Sequence, residues 1–538
     1  MAYTIKDEDC TICGSCSPEC PTGAIKSEEQ QEGYWIDPTL CDGCPDLEVP
    51  LCVNSCDVGS LEPLQPKKGR CKSSLLPAAI PEIFLNGKTH PFASSMVVWE
   101  ACNILAQRQT LPWQADQDGH LMYHRPVNHG RGWMEFRLAT DPETEATQPV
   151  AEQVGRDALS NFDIRAACIH LIFAAYATTV NCPWEDTFVL NDQHIEQYLG
   201  LDRRKDLTKL EKLTLIKSLV HQACQLMVSL HWPRQGRVKD FALDEHSVWN
   251  LLNTRYFFEE DSNHCRHLIG LEFTVRAGVW SRQFLNQQDY RRHTAFYQYG
   301  SLPQSLLSEV MSHWQQHEGA IRLLLWLLFK LRLGGEQRIT VRTLLKIAYG
   351  EQRVHDATTV RGAHKRLLKT FESDLEMIYY YGLKPQFDGE TYPPEIQPLW
   401  ARVSNIPDDA DDALEFWTED ANRDSSLTDT APRDKWQRLL NARLTGFDLS
   451  DEWQQTTKHK TPRKRRRRST TAKTPPQSSQ ITGEAIRIAR QNQKLSQRAL
   501  AVRIGKSQSW VRDVEKGRFS ANADDLALLQ TSLDMNKD

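Results

Sequence analysis

The sequence predicts a multidomain chain: a small α+β module at the N-terminus, a large mainly α middle region, and an all-α module at the C-terminus. Three observations carry this reading. At 538 residues the chain is too long for one hydrophobic core. Eight of its 14 cysteines fall between Cys10 and Cys56. The charge is also divided, with 5 Lys/Arg against 13 Asp/Glu in residues 1–70 and 19 against 7 in residues 457–538. An acidic head and a basic tail call for different partners, the tail for a polyanion. No apolar run reaches the roughly 18–20 residues of a bilayer span. The best candidate, Ile321–Leu333, carries Arg322, Lys330 and Arg332 and reads as a buried helix. The opening MAYTIKDEDC lacks the apolar stretch of a signal peptide. The expectation is a cytoplasmic protein with no membrane partner, whose crowded thiols bind metal rather than pair as disulfides.

Residues 1–66 form the first module. Cys10, Cys13, Cys16 and Cys20 are spaced C-x2-C-x2-C-x3-C, and Pro21 follows. Three thiols at two-residue gaps need a tightly curled loop, for which Gly14 supplies a positive φ. Cys41, Cys44, Cys52 and Cys56 make a second run, C-x2-C-x7-C-x3-C. AYTI and GYWID, ahead of the two runs, read as short strands. Zinc also binds C-x2-C pairs, but it does not require a third cysteine at the tight gap, so iron–sulfur is the preferred reading. The pattern resembles the long-loop, two-cluster bacterial ferredoxins. That resemblance implies two [4Fe–4S] clusters with crossed ligands: Cys10, Cys13, Cys16 and Cys56 for one, Cys20, Cys41, Cys44 and Cys52 for the other. Asp57 stands where that family usually has proline, a departure that bears on the turn beside Cys56. So small a core depends on its cofactors. Cys71 reads as an ordinary surface thiol.

Residues 72–400 read as mainly helical, with Asp163–Val180 and Leu207–Leu230 at helical spacing. They show no repeat and no phosphate-binding glycine motif. Two stretches suggest winged-helix units. In one, Asp192–Leu201 is a short helix before a long one. In the other, Ile339–Gly350 precedes a helix carrying Arg361, His364, Lys365, Arg366 and Lys369, with Leu375–Tyr381 as a wing strand. These resemble plasmid replication initiators and other tandem winged-helix proteins; a helical scaffold with a solvated basic face is the alternative. SNHCRH, with His264, Cys265 and His267, reads as a loop rather than a metal site.

Residues 401–480 are expected to be a linker, acidic and then basic and disordered. PDDADDALEFWTED mixes acids with Leu414, Phe416 and Trp417, as an amphipathic activation segment or a plain solvated loop does. KTPRKRRRRSTT follows, in which Arg463, Lys464, Arg465 and Arg466 are expected to bind phosphates without sequence preference.

Residues 481–538 read as four helices. Ile486, Ala489 and Arg490 open an amphipathic helix; Ser496 caps a second with Leu500, Ala501 and Ile504 on one face; Gly505 turns; Ser507 caps a third, Gln508–Lys516; and Leu526, Leu529 and Leu533 close the bundle. This resembles the Cro/C1-type helix-turn-helix family. The resemblance places Gln497 near a phosphate and Gln508, Ser509 and Arg512 at base edges, with Ser507 and Lys516 beside them. Trp510 departs from the small residue usual there.

The order of modules resembles the PatB/CnfR class of cyanobacterial regulators. It implies an oxygen- or redox-responsive activator of nitrogen-fixation genes, a homodimer on promoter DNA that contacts RNA polymerase and has no catalytic residues. An electron-transfer or oxidoreductase component, or a replication-initiator-like protein, is the competing expectation.

Overall fold

Short alternations of apolar and polar residues around the two cysteine runs produce four strands and two helical turns. In order these are β1 (Tyr3–Ile5), α1 (Cys16–Glu19), β2 (Ile25–Ser27), β3 (Tyr34–Ile36), α2 (Leu51–Asn54) and β4 (Leu61–Pro63). β1 pairs antiparallel with β4, and β2 with β3. The core of this head is Ile5, Ala24, Ile25, Ile36 and Leu61 together with the thiols of Cys16 and Cys52. The computed structural model describes residues 2–450 and 483–533, apart from 7–8, 28–32, 39, 65–81, 85–87, 141–148, 261–265, 332–337, 404–405, 407–408, 423–431, 494, 517–520 and 522. Two units separate within the chain, Met1–Thr457 and Lys458–Asp538.

One continuous core runs from Ile83 to Leu444. Its first elements are β5 (Thr89–Ala93), α3 (Met96–Gln107), β6 (Gln114–Ala115), β7 (Leu121–Val127), β8 (Gly132–Leu138) and α4 (Glu152–Asn161). Then come α5 (Ala166–Tyr176), β9 (Phe188–Asn191), α6 (Asp192–Leu199), α7 (Lys209–Cys224), β10 (Leu226–Trp232), β11 (Phe241–Ser247), β12 (Trp249–Glu260) and β13 (Arg266–Ala277). α8 (Trp280–Phe284), α9 (Gln287–Arg291), β14 (Tyr299–Pro303) and α10 (Gln304–His313) lead into a second set. That set is α11 (Glu318–Lys330), β15 (Ile339–Thr340), α12 (Val341–Tyr349), α13 (Glu351–Thr359), α14 (Ala363–Tyr380) and β16 (Leu383–Phe387). α15 (Leu399–Val403), α16 (Ala410–Ala421), α17 (Lys435–Asn441) and β17 (Arg443–Leu449) complete it.

The same topology occurs twice, although the sequence shows no repeat. A buried helix (α5 or α11) leads to a short strand (β9 or β15), whose last residue caps the next helix. Asn191 accepts the amide of His194, and Thr340 that of Thr343. A long helix follows (α7 or α14), then two strands, the last of which lies at the centre of its sheet. The orders are β12-β13-β9 and β15-β17-β16. This is winged-helix topology, with the hairpin β10–β11 inserted in the first copy; in the second, α13 is added and α15, α16 and α17 lie between the strands β16 and β17. Among the described residues no single helix is long and apolar enough to cross a membrane; the apolar α5 is buried along its whole length.

The middle region has the expected helices and in addition a five-stranded sheet, β11-β10-β8-β7-β6. β8 signals this in GWMEFRL, whose residues alternate buried and half-buried. Four sequence expectations are corrected. The helical spacing at Leu207–Leu230 ends at Cys224, and Leu226–Leu230 belong to β10. Leu375–Tyr380 lie in α14, because Phe371, Leu375 and Ile378 are buried on one helical face; the wing is β16 with β17. The folded region does not stop at residue 400, since β17 pairs with both β15 and β16. Residues 410–421 form a helix rather than a loop, with Leu414 and Trp417 exposed.

The head is fastened to the first winged-helix copy. Asp37, just past β3, is 1% exposed at its side chain, and Lys217 of α7 is 7% exposed and meets it at 2.6 Å. Tyr256 of β12 donates to the same carboxylate at 3.3 Å. Trp35 packs on Tyr256 and Phe258 with ring centroids 4.6 and 5.2 Å apart. The head therefore lies over the long helix and the wing of that copy. Lys209 and Lys212 of α7 are also neutralised, by Asp192 and Glu196 of α6.

Two outcomes are expected. Lys217→Met leaves a buried carboxylate without its cation and lowers unfolding free energy by about 3–5 kcal/mol. Adding Asp37→Asn recovers much of that loss in urea titrations followed by tryptophan fluorescence. His170, fully buried in α5, accepts from Trp249 at 2.8 Å and donates to the Val98 carbonyl at 2.9 Å. Burial lowers its pKa from 6.5 to about 4, against a smaller opposing contribution from that carbonyl. Above pH 6.5 both states hold it neutral; below, only the unfolded chain gains the proton. Stability should thus fall between pH 6.5 and pH 4, by about 3 kcal/mol, and His170→Gln should remove that component.

Candidate metal centre and nucleic-acid interface

The eight thiols of the head are all free of disulfides, and they fall into two neighbourhoods. Burial pushes the Cys16 thiol up, and Cys10, Cys56 and Cys13 act on it in the same direction. Burial pushes Cys52 up to about 11, with Cys41, Cys20 and Cys44 as its thiol neighbours. Each buried thiol thus faces two cysteines of its own run, in the first set Cys10 and Cys13 and in the second Cys41 and Cys44. Each also faces the last cysteine of the other run.

The backbone repeats around both sets. The Cys10 amide bonds to the Lys6 carbonyl, and the Cys41 amide to the Asp37 carbonyl. Gly23 and Gly59 close the turns after Cys20 and Cys56 by bonding to those cysteines' carbonyls at 3.1 and 3.2 Å. The Ala24 amide donates to the Cys20 sulfur at 3.3 Å, and the Ser60 amide to the Cys56 sulfur at 3.4 Å. Asp57 therefore takes the place of Pro21 without changing the turn. Burial raises Cys20 and Cys56, but hydroxyl and amide donors outweigh it and bring both below the ordinary thiol value. Gly14, at φ 75°, belongs in the first loop for a second reason: a Cβ there would meet the Tyr34 hydroxyl at 2.7 Å.

The donor set suits iron–sulfur better than zinc. Tetrahedral zinc, with Zn–S of about 2.3 Å, draws its sulfurs to about 3.8 Å apart. Among the described residues no three cysteine sulfurs lie within 4.8 Å of one another. Amides aimed at the Cys20 and Cys56 sulfurs are what a cubane also calls for.

The C-terminal unit is built from α18 (Gly483–Asn492), α19 (Gln497–Ile504), α20 (Gln508–Glu515) and α21 (Ala523–Ser532). Ile486, Leu500, Ala501, Ile504, Val511, Val514, Leu529 and Leu533 form its core. Gly505 takes φ 68° between α19 and α20, a conformation open to glycine at little cost. A buried pair holds the helices together: Arg490 donates to both Glu515 oxygens, at 2.6 and 3.0 Å.

The expected DNA residues divide. Gln508, Ser509, Arg512 and Lys516 are exposed on or just past α20. Ser507 is exposed too, but its hydroxyl caps α20 by accepting from the Trp510 amide at 3.2 Å. Gln497 differs from expectation, because its side-chain amide is spent on Glu515 at 2.8 Å. Trp510 is half-buried against the core, with Lys506 over its ring at 5.3 Å. Arg463, Lys464, Arg465 and Arg466 lie outside the described residues, as do Cys71, His264 and Cys265. His267 is buried in β13. Asp37 and Lys217 went unread in the sequence: 180 positions separate them, and neither belongs to a motif. Glu515 was likewise missed as the partner of Arg490.

A family described as "4Fe-4S binding domain" matches residues 3–26, and one described as "Helix-turn-helix" matches residues 486–536. The chain thus carries a 4Fe-4S ferredoxin-like module and a helix-turn-helix DNA-binding module. It is 45% identical over 58 residues to a "Ferredoxin-like protein in vnf region" of Azotobacter chroococcum, covering 11% of this chain and 86% of that protein. It is 48% identical over 58 residues to a "Ferredoxin-like protein in nif region" of Trichormus azollae, covering 10% of this chain and 48% of that protein. A crystal structure of domains 2 and 3 of RctB is 12% identical, covering 52% of this chain and 85% of that one at a TM-score of 0.28. Through its N-terminal module, the chain belongs to the bacterial 4Fe-4S ferredoxin family.

Proposed function

We propose that this protein is an oxygen- or redox-responsive transcription regulator of the PatB/CnfR kind, a cytoplasmic activator of nitrogen-fixation genes under low oxygen. The observation that carries the reading is the position of Asp37. Its carboxylate is locked to α7 of the middle region, and its carbonyl holds the amide of Cys41, a cluster ligand in this proposal. Cys10, Cys13, Cys16 and Cys56 hold one [4Fe–4S] cluster; Cys20, Cys41, Cys44 and Cys52 hold the other. When bound, such clusters supply one-electron chemistry and are open to oxygen.

The head's own residues convert that state into shape. Five apolar side chains and two thiols do not hold a fold of this size alone. Without cluster ligation the Cys41 segment loses its fixed end, and Asp37 loses the geometry that pairs it with Lys217. The helix-turn-helix unit reads promoter DNA through α20 as a homodimer, and the docked head sets whether RNA polymerase is engaged. The genomic setting printed in the names of the vnf- and nif-region relatives supports the choice of target genes.

An electron-carrying role for the head is the second reading, and the exposure of Cys13 favours it. Anaerobic purification with iron and sulfide counting separates the two. About eight of each per chain are expected for two cubanes, with promoter transcription lost after air exposure in step with the iron. Cys13→Ser should lose activation and part of the iron. Arg512→Ala should lose promoter binding and keep all of it. Transcription that persists after the iron has gone would remove the regulator reading.

A further inference from the structure

We propose that the N-terminal half of α14 is a second duplex-DNA contact surface, in which Arg361, Lys365, Arg366 and Lys369 bind backbone phosphates. The two winged-helix copies differ sharply in what covers their long helix. On α7 the cations are buried or half-buried and matched: Lys209 and Lys212 by acids of α6, Lys217 by Asp37 of the head. Lys365, Arg366 and Lys369 of α14, and Arg361 just before it, are exposed, and among the described residues none has an ion pair or side-chain partner.

Two of the three acids of α14 are engaged elsewhere, and the third, Glu376, lies two turns beyond Lys369, away from the helix start. Glu372 pairs with Lys435 of α17. Asp374 is buried, accepts from the Tyr349 hydroxyl at 2.6 Å and meets His317 at 3.2 Å. Lys365 and Lys369 are one turn apart, so they lie on one stripe, with Arg366 alongside; Arg361 sits in the turn just before the helix. Three unmatched cations on the long helix of a winged-helix unit, with a fourth just before its start, complement a duplex backbone, and the same chain carries a helix-turn-helix module. The surface stands independently of how the head senses oxygen.

The test uses the full chain, kept anaerobic, with a 40-bp duplex of random sequence as the ligand. Lysine acetylation read by mass spectrometry should show Lys365 and Lys369 protected by the duplex, and protected equally in Arg512→Ala. Exchanging Lys365, Arg366 and Lys369 for Gln should lower the slope of log affinity against log salt by about 3 in magnitude, with circular dichroism unchanged. Equal acetylation with and without duplex overturns the proposal, as does an unaltered slope in a folded triple variant. If that variant does not fold, the wild-type acetylation pattern decides. Protection by polyglutamate but not by duplex assigns the face to an acidic protein and also overturns it. Loss of promoter specificity in Arg512→Ala while Lys365 stays protected separates this surface from the one on α20.

Discussion

A carboxylate taken out of water needs a cation and further donors beside it, or it stays costly to bury. Asp37 meets that condition with Lys217 and the Tyr256 hydroxyl, and the seating of the head on the middle region follows from it. The head has too little apolar surface to dock by burial alone. It docks by charge and by one aromatic cluster, Trp35 on Tyr256 and Phe258. Such an interface is specific in geometry and sensitive to small displacements. It is joined to the thiols through one residue, since the backbone of Asp37 also holds Cys41.

The paired winged-helix copies show how one topology takes two roles. In the first, the long helix and wing are covered by another module of the same chain, and every lysine named on α7 is matched by an acid. In the second, the equivalent helix buries Asp374, commits Glu372 to Lys435 and leaves Lys365, Arg366 and Lys369 exposed. The difference lies in surface chemistry, not in fold, because both copies rest on a buried apolar helix and a strand whose end residue caps the next helix. Function follows the side chains on the outer face.

Much of the functional layout was legible without coordinates, for local physical reasons. Metal ligation fixes cysteine spacing, so the two runs and Gly14 announce the head. A helix-turn-helix packs a few apolar positions at helical period around a glycine turn, so Leu500, Ala501, Ile504, Gly505, Val511 and Val514 were readable in order. The doubt at Asp57 dissolves because its turn closes through Gly59, whichever of the two residues follows the cysteine. The sheets of the middle region were harder. Their strands are stabilised by neighbours far away in sequence, as β8 is by β10, and LEMIYY is rich in residues that favour strands yet continues α14.

By itself the sequence determined the two ends: the thiol spacing, the helical period and the separation of charge are local properties, set by residues a few positions apart. Only the tertiary structure decided that Asp37 meets Lys217, that Gln497 serves Glu515, and that α14 is open where α7 is covered. Those facts depend on which surfaces meet after folding. No periodicity records that, because a contact between residues 180 positions apart leaves each of them an ordinary member of its own segment.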